Sequence, residues 1–237
     1  MCGPWTSPFA QAPTPIDGHC PYLLAVRDLA SGQQLLWLPT RAVSAQETTL
    51  ALAMLFALHG APLVLKSDNG SPFIADATRA FLRSAGVNSL FSPPQTPRYN
   101  GSIEAGIGSL KTRTERHAAR LGHPAIWTSD DVAAAVDEAN TLARPHGESS
   151  PTAQECWTAR RRLTAAERTL FTETLARLLD EERALEGLAT EGSPSTTRER
   201  RAQRNATRRA LVEHGFLLFS RRRIPLPLRK KKAARLT

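Results

Sequence analysis

The chain has 237 residues, 41% of them hydrophobic, enough for one medium domain with a real core plus appendages. Its net charge of +9 is unevenly spread: residues 1–157 carry 11 Lys/Arg against 13 Asp/Glu, and residues 158–237 carry 20 against 9. No apolar run approaches the roughly 20 residues of a membrane helix, and the start M-C-G-P-W-T-S-P-F lacks a signal-peptide pattern. Cys2, Cys20 and Cys156 form neither a disulfide framework nor a zinc pattern, which points to a reducing, intracellular setting. The basic last third reads as a polyanion contact, with nucleic acid ahead of an acidic membrane surface.

Residues 1–19 are rich in Pro, Thr and Ser and poor in pattern. Tyr22–Arg27 reads as a strand, D-L-A-S-G as a turn, and Gln33–Leu38 as the return strand of an antiparallel hairpin stopped by Pro39. Ser44, with Glu47 three residues on, forms a capping box before an apolar helix that Gly60 ends. A strand buried on both faces follows at 61–67, then Asp68, then a helix near 75–84 and a short strand at 87–91. After a loop with three prolines (S-P-P-Q-T-P-R-Y-N, 92–100), a helix runs from 101 or 102 to about Leu121, and another covers Asp130–Leu142. This order predicts an α/β domain over 1–145, a mixed sheet with helices against it. Residues 146–192 read as a linker and a charged amphipathic helix at 163–188, and 193–237 as a basic DNA-binding tail. That tail holds a helix at 197–214, a strand-like G-F-L-L-F-S at 215–220, and a closing run R-R-R-I-P-L-P-L-R-K-K-K.

Two acids stand out. Asp68 ends the buried strand and Glu104 lies in the first turn of the helix after the proline loop, with 35 residues between them. A strand-end carboxylate and a helix carboxylate converge if that helix crosses the end of the sheet. Together they would suit Mg²⁺ or Mn²⁺, hard cations that take oxygen ligands. A solvated turn acid is the plainer alternative for Asp68.

The stretches Y-L-L-A-V-R-D-L-A-S-G (22–32), K-S-D-N-G-S-P-F (66–73) and S-P-P-Q-T-P-R-Y-N-G-S-I-E-A-G-I-G-S-L-K (92–111) resemble the catalytic core of retroviral-type integrases and of D-D-E insertion-sequence transposases. The resemblance covers about residues 5–145. It implies an RNase-H-like fold, a five-stranded mixed sheet flanked by helices, here followed by a basic helical C-terminal region. It also implies metal-dependent DNA strand cleavage and transfer, with Asp68 and Glu104 as second and third catalytic, metal-holding acids. The implied partners are DNA (transposon ends and target) and further copies of the chain. Neither a membrane nor a nucleotide cofactor is expected, and the expected setting is a bacterial cytoplasm, close to the nucleoid. Lys111, seven residues after Glu104 and on the same helix face, is a candidate phosphate contact, as is Arg98 in the preceding loop. In the tail, Arg201, Arg204 and Arg208 share spacing on one helix face, and Arg221, Arg222 and Arg223 follow; all six are candidate DNA contacts.

The family's first acid lies in a segment resembling W-x-x-D-F-T. This chain has W-T-S-P-F-A at 5–10, so Pro8 stands where that acid is expected. Proline offers no ligand and no N–H for a central strand. Asp17 and Asp28 are the nearby acids that could substitute, although both also read as turn residues. With one acid missing, strand transfer should be lost or severely impaired. The alternative reading is a non-catalytic DNA-binding protein, a partner or remnant of a transposase.

Overall fold

A computed structural model describes residues 4–93, 101–144, 147–188 and 197–218. Six strands form one mixed sheet: β1 (Trp5–Ser7), β2 (Phe9–Ile16), β3 (Cys20–Asp28), β4 (Gln34–Thr40), β5 (Val64–Ser67) and β6 (Asn88–Phe91). β3 pairs antiparallel with β1, β2 and β4, while β1 pairs parallel with β5, and β5 with β6.

β1 and β2 are one strand in register. Trp5 faces Asp28, Thr6 faces Arg27, Phe9 faces Leu24 and Ala10 faces Leu23, with no slip across Pro8. The Pro8 carbonyl still accepts from Ala25 N at 3.0 Å. Proline has no N–H to return that bond, so the ladder is nicked rather than broken. The sequence expectation that Pro8 could not sit in a central strand is therefore wrong: the lost bond is tolerated because the flanking pairs hold. The strand through 5–16 also replaces the patternless segment expected at 1–19. Its period-two signal is carried by small residues, with Ala10, Ala12 and Ile16 buried and Gln11, Pro13 and Pro15 exposed. β3 runs longer than expected at both ends, and edge strand β4 starts one residue later than expected but continues through Pro39, which pairs with Leu23.

α1 (Ala45–His59), with Ser44 accepting from Glu47 N, packs on one face of the sheet beside α3 (Asp76–Ser84). The short α2 (Ser71–Ile74) precedes α3. α4 (Gly101–Arg120) and α5 (Ser129–Thr141) cover the other face, burying Leu110, Trp127 and Val132 against Leu23 and Trp37. α6 (Ala153–Thr158), unforeseen in the sequence, carries Trp157 to Trp5, ring centroids 6.2 Å apart. Thr128, Thr152 and Thr164 each close a capping box with an acid three residues on.

The basic helix does not project from the core. α7 (Ala165–Leu185) and α8 (Thr197–Glu213) form a hairpin docked on the β5–β6 side of the sheet, where Phe171, Leu178, Ala206 and Ala210 meet Leu63, Val64 and Leu90. Gln203 Nε2 donates to Ser89 O at 3.2 Å, so α8 covers part of edge strand β6. The strand expected from 215 is not formed over its described part, 215–218. Gly215 (φ 71°) instead ends α8, and Phe216 and Leu217 N–H return to Leu211 O at 2.8 and 3.0 Å.

Candidate functional site

The candidate site lies where the parallel strands end. Trp5, Thr6 and Ser7 of β1 pair with Leu65, Lys66 and Ser67 of β5, and continuing that register by one residue sets Pro8 beside Asp68. Asp68 is half-buried, and its Oδ1 accepts from Gly70 N at 2.9 Å. A Cβ at residue 70 would sit 2.8 Å from that oxygen, so only glycine lets the carboxylate fold back this closely. Asn69 Nδ2 donates to Ser92 O at 2.9 Å, and Ser92 donates to Ser67 O through both N and Oγ. The D-N-G turn is thereby tied to the end of β6.

Glu104 is exposed in the first turn of α4. Its charge is felt at Lys66 on β5: burial lowers the Lys66 pKa and the Glu104 carboxylate pushes it back up. The first turn of α4 is thus brought within electrostatic reach of the strand that ends at Asp68. α4 descends onto the sheet where Gly106 covers Arg27; a Cβ there would lie 2.6 Å from Arg27 Nη1. The Arg27 guanidinium is partly buried, donates through Nε to Gly32 O at 3.1 Å, and has its pKa lowered by burial. The E-A-G-I-G stretch carried this signal in its glycines, but only the fold reveals what they accommodate.

Neither alternative acid reaches the site. Asp28 pairs with Trp5, three strand positions or ~10 Å from Pro8. It is fully buried, its Oδ2 accepts from Ser31 N and Oγ at 2.7 Å, and burial raises its pKa. Asp17 sits in the β2–β3 turn, accepts from Ser129 N at 3.1 Å and from Ser129 Oγ, and has its pKa lowered by those bonds. Among the described residues no group of three or more His, Cys, Asp or Glu is gathered to hold a metal. Carboxylate oxygens such as those of Asp68 and Glu104 are the donor chemistry that suits Mg²⁺.

Of the other candidates, Lys111 donates to Gln11 O at 2.6 Å from a half-buried position. Arg201 is turned toward α7, where it pairs with Glu186, while Arg208 is exposed. Arg98 and Arg221–Arg223 lie outside the described residues.

Residues 3–97 match the family model of the integrase core domain. An uncharacterised protein of Caenorhabditis elegans, K02A2.6, is 32% identical over 108 residues, 46% of this chain; the chain spans only 8% of that protein's length. Among solved structures, the intasome of simian T-cell lymphotropic virus in complex with PP2A regulatory subunit B56 gamma aligns with a TM-score of 0.59 and 17% identity, over 69% of this chain and 56% of that one. The HTLV-2 integrase catalytic core domain in complex with magnesium, in its trimeric form, aligns at 0.53 and 18% over 65% of this chain and 95% of that one. Its dimeric form aligns at 0.53 and 18% over 66% and 96%. No described helix is long and apolar enough to cross a membrane. The sheet order and the helices on its two faces give this chain the fold of those integrase structures, and residues 3–97 carry the match to the integrase core domain.

Proposed function

We propose that this chain is a DNA integration or transposition protein of the D-D-E class whose strand-transfer chemistry is lost or severely impaired. The observation that carries the reading is the Ser7–Ser67 pair of the two central parallel strands, from which the chain continues into Pro8 on one side and Asp68 on the other. An acid at position 8 would stand next to Asp68 and across from the first turn of α4. Proline supplies no oxygen there.

Asp68 and Glu104 are the residues that would hold a divalent cation, whose chemistry when bound is to stabilise charge on a phosphodiester. The chain's own contribution is positional. Gly70 N–H orients the Asp68 carboxylate, and the close seat of Gly106 on Arg27 sets the height of α4 and therefore of Glu104. Two carboxylates leave a cation with one ligand fewer than the family arrangement, so it is held less firmly against the scissile phosphate. DNA is the partner this reading calls for, and self-association is expected with it. Lys111 remains a secondary phosphate contact, because an ammonium with three donors can keep Gln11 O and still reach a phosphate.

The test is a DNA-end cleavage and joining assay on the full chain with Mg²⁺ or Mn²⁺, run beside Asp68→Asn. Background activity in both proteins, with retained DNA binding, fits the proposal. Robust joining by the native chain that Asp68→Asn abolishes would show that two acids suffice. A purely DNA-binding role is the second reading, and the same absence of a third donor beside Asp68 favours it.

A further inference from the structure

Ion pairs and a hydrogen bond tie one row of α8 to α7 and its C-terminal end. Arg201 pairs with Glu186, Arg209 with Glu181 (2.7 Å) and Glu182 (2.9 Å), and Asn205 donates to Glu182 at 3.0 Å. This row at i, i+4, i+8 faces α7. A second row, Arg200, Arg204 and Arg208, has the same spacing; it starts beside β6 at Arg200 and winds round the helix until Arg208, seven residues after Arg201, shares that residue's face.

Arg200, at the head of that second row, enters a groove of about 300 Å³ between α8, edge strand β6 and α3. Arg79 and Arg83 of α3 line the opposite wall, with Asn88 and Gln203 between them and no carboxylate in the lining. Arg79 pairs with Asp76 on the surface, but among the described residues Arg83 and Arg200 have no carboxylate partner. At one end the groove reaches Phe91, which pairs with Ser67, the residue before Asp68. One strand spacing, ~4.8 Å, therefore separates that end from the strand carrying the candidate acid.

We infer that this groove is a docking surface for the phosphate backbone of duplex DNA, guided along the β6 edge toward the Asp68 end of the sheet. The inference rests on the reading of the chain as a DNA-integration protein and adds where the backbone runs. Guanidinium groups on facing walls, with no acid between them, match a line of phosphates. The hairpin's role is then double: Arg201 and Arg209 hold it to α7 and its C-terminal end, and Arg200 meets DNA in the groove.

The experiment measures the affinity of the full chain for a short random-sequence duplex across a salt series. Arg83→Gln/Arg200→Gln is compared with Arg41→Gln/Arg120→Gln, an equal charge loss at exposed positions elsewhere. Circular dichroism and thermal melting check each fold. The groove variant should bind roughly tenfold more weakly or worse, with the salt slope reduced by about 2, and the control should change much less. Ser89→Glu, an acid placed in the groove, should weaken binding as well. Equal losses in both double variants, or an unchanged groove variant, would overturn the inference while leaving the DNA-binding reading intact. Loss of polyglutamate binding with DNA binding retained would assign the surface to an acidic protein instead and overturn it too. A native chain with no salt-dependent affinity for duplex would fail the underlying reading itself.

Discussion

The end of the sheet at Asp68 and the α7–α8 hairpin handle charge in opposite ways. In the hairpin, acids and arginines are matched: Arg183 with Glu199, Arg177 with Glu213 at 2.9 Å, Arg209 with Glu181 and Glu182. At the sheet end, Asp68 is engaged by a backbone N–H, Glu104 is exposed, and the neighbouring strand contributes Pro8. The comparison teaches that basicity counted along the sequence is a poor measure of what faces DNA. Arg177, Arg183, Arg201 and Arg209 are used to hold one helix to another. In the β6 groove, Arg83 and Arg200 have no carboxylate partner among the described residues and are left for a ligand.

The comparison is tested most severely at the hairpin's anchor. Phe171 is fully buried between the hairpin and the sheet, and Phe171→Ala should cost about 3–5 kcal/mol in urea unfolding. A single transition is expected; two separate ones would show that the hairpin folds apart from the sheet. Glu199 is nearly buried beside Arg183, so Glu199→Ala, which strands that guanidinium, should destabilise by about 3 kcal/mol. A loss below about 1 kcal/mol, as for surface pairs, would mean that the pairing is not structural. Gly106→Ala pushes a methyl toward the Arg27 guanidinium, the far end of a flexible side chain, and should cost about 1 kcal/mol. An unchanged melting temperature would remove the reason given for the height of α4.

The smallest effect concerns pH. Arg161 and the N–H and hydroxyl of Thr164 lower the Glu167 carboxyl from 4.5 to about 2. Because the folded value is depressed, its contribution is present above pH 4.5 and fades as pH falls toward 2. Glu167→Gln should therefore melt below the native chain at pH 6, with the gap closing by about pH 2. A gap that widens on acidification would contradict this.

Much of the fold was legible because its signals are local. The capping box at Ser44 and Glu47, the stop at Gly60 and the apolar run into Asp68 each mark an element in a few residues. The first strand was not legible, because prolines at 8, 13 and 15 mask an alternation carried by alanines. Its register against β3 is a long-range property. The same holds for the arginines of α8: spacing grouped Arg201 with Arg204 and Arg208, and only the fold shows that Arg201 is engaged by Glu186 at the end of α7. At the site, Asp68 and Glu104 are proposed from motif and spacing, which are local signals. The exclusion of Asp17 and Asp28 required knowing which end of the sheet each occupies.

The central claim is that the scaffold is intact and the position beside Asp68 has lost its acid. Pro8→Asp tests it most directly, in the DNA-end joining assay with Mn²⁺ and with Asp68→Asn as the blocking change. The account predicts that Pro8→Asp raises joining by orders of magnitude over the native chain and that adding Asp68→Asn removes the gain. A well-folded Pro8→Asp protein that binds DNA but joins no better than the native chain would contradict it.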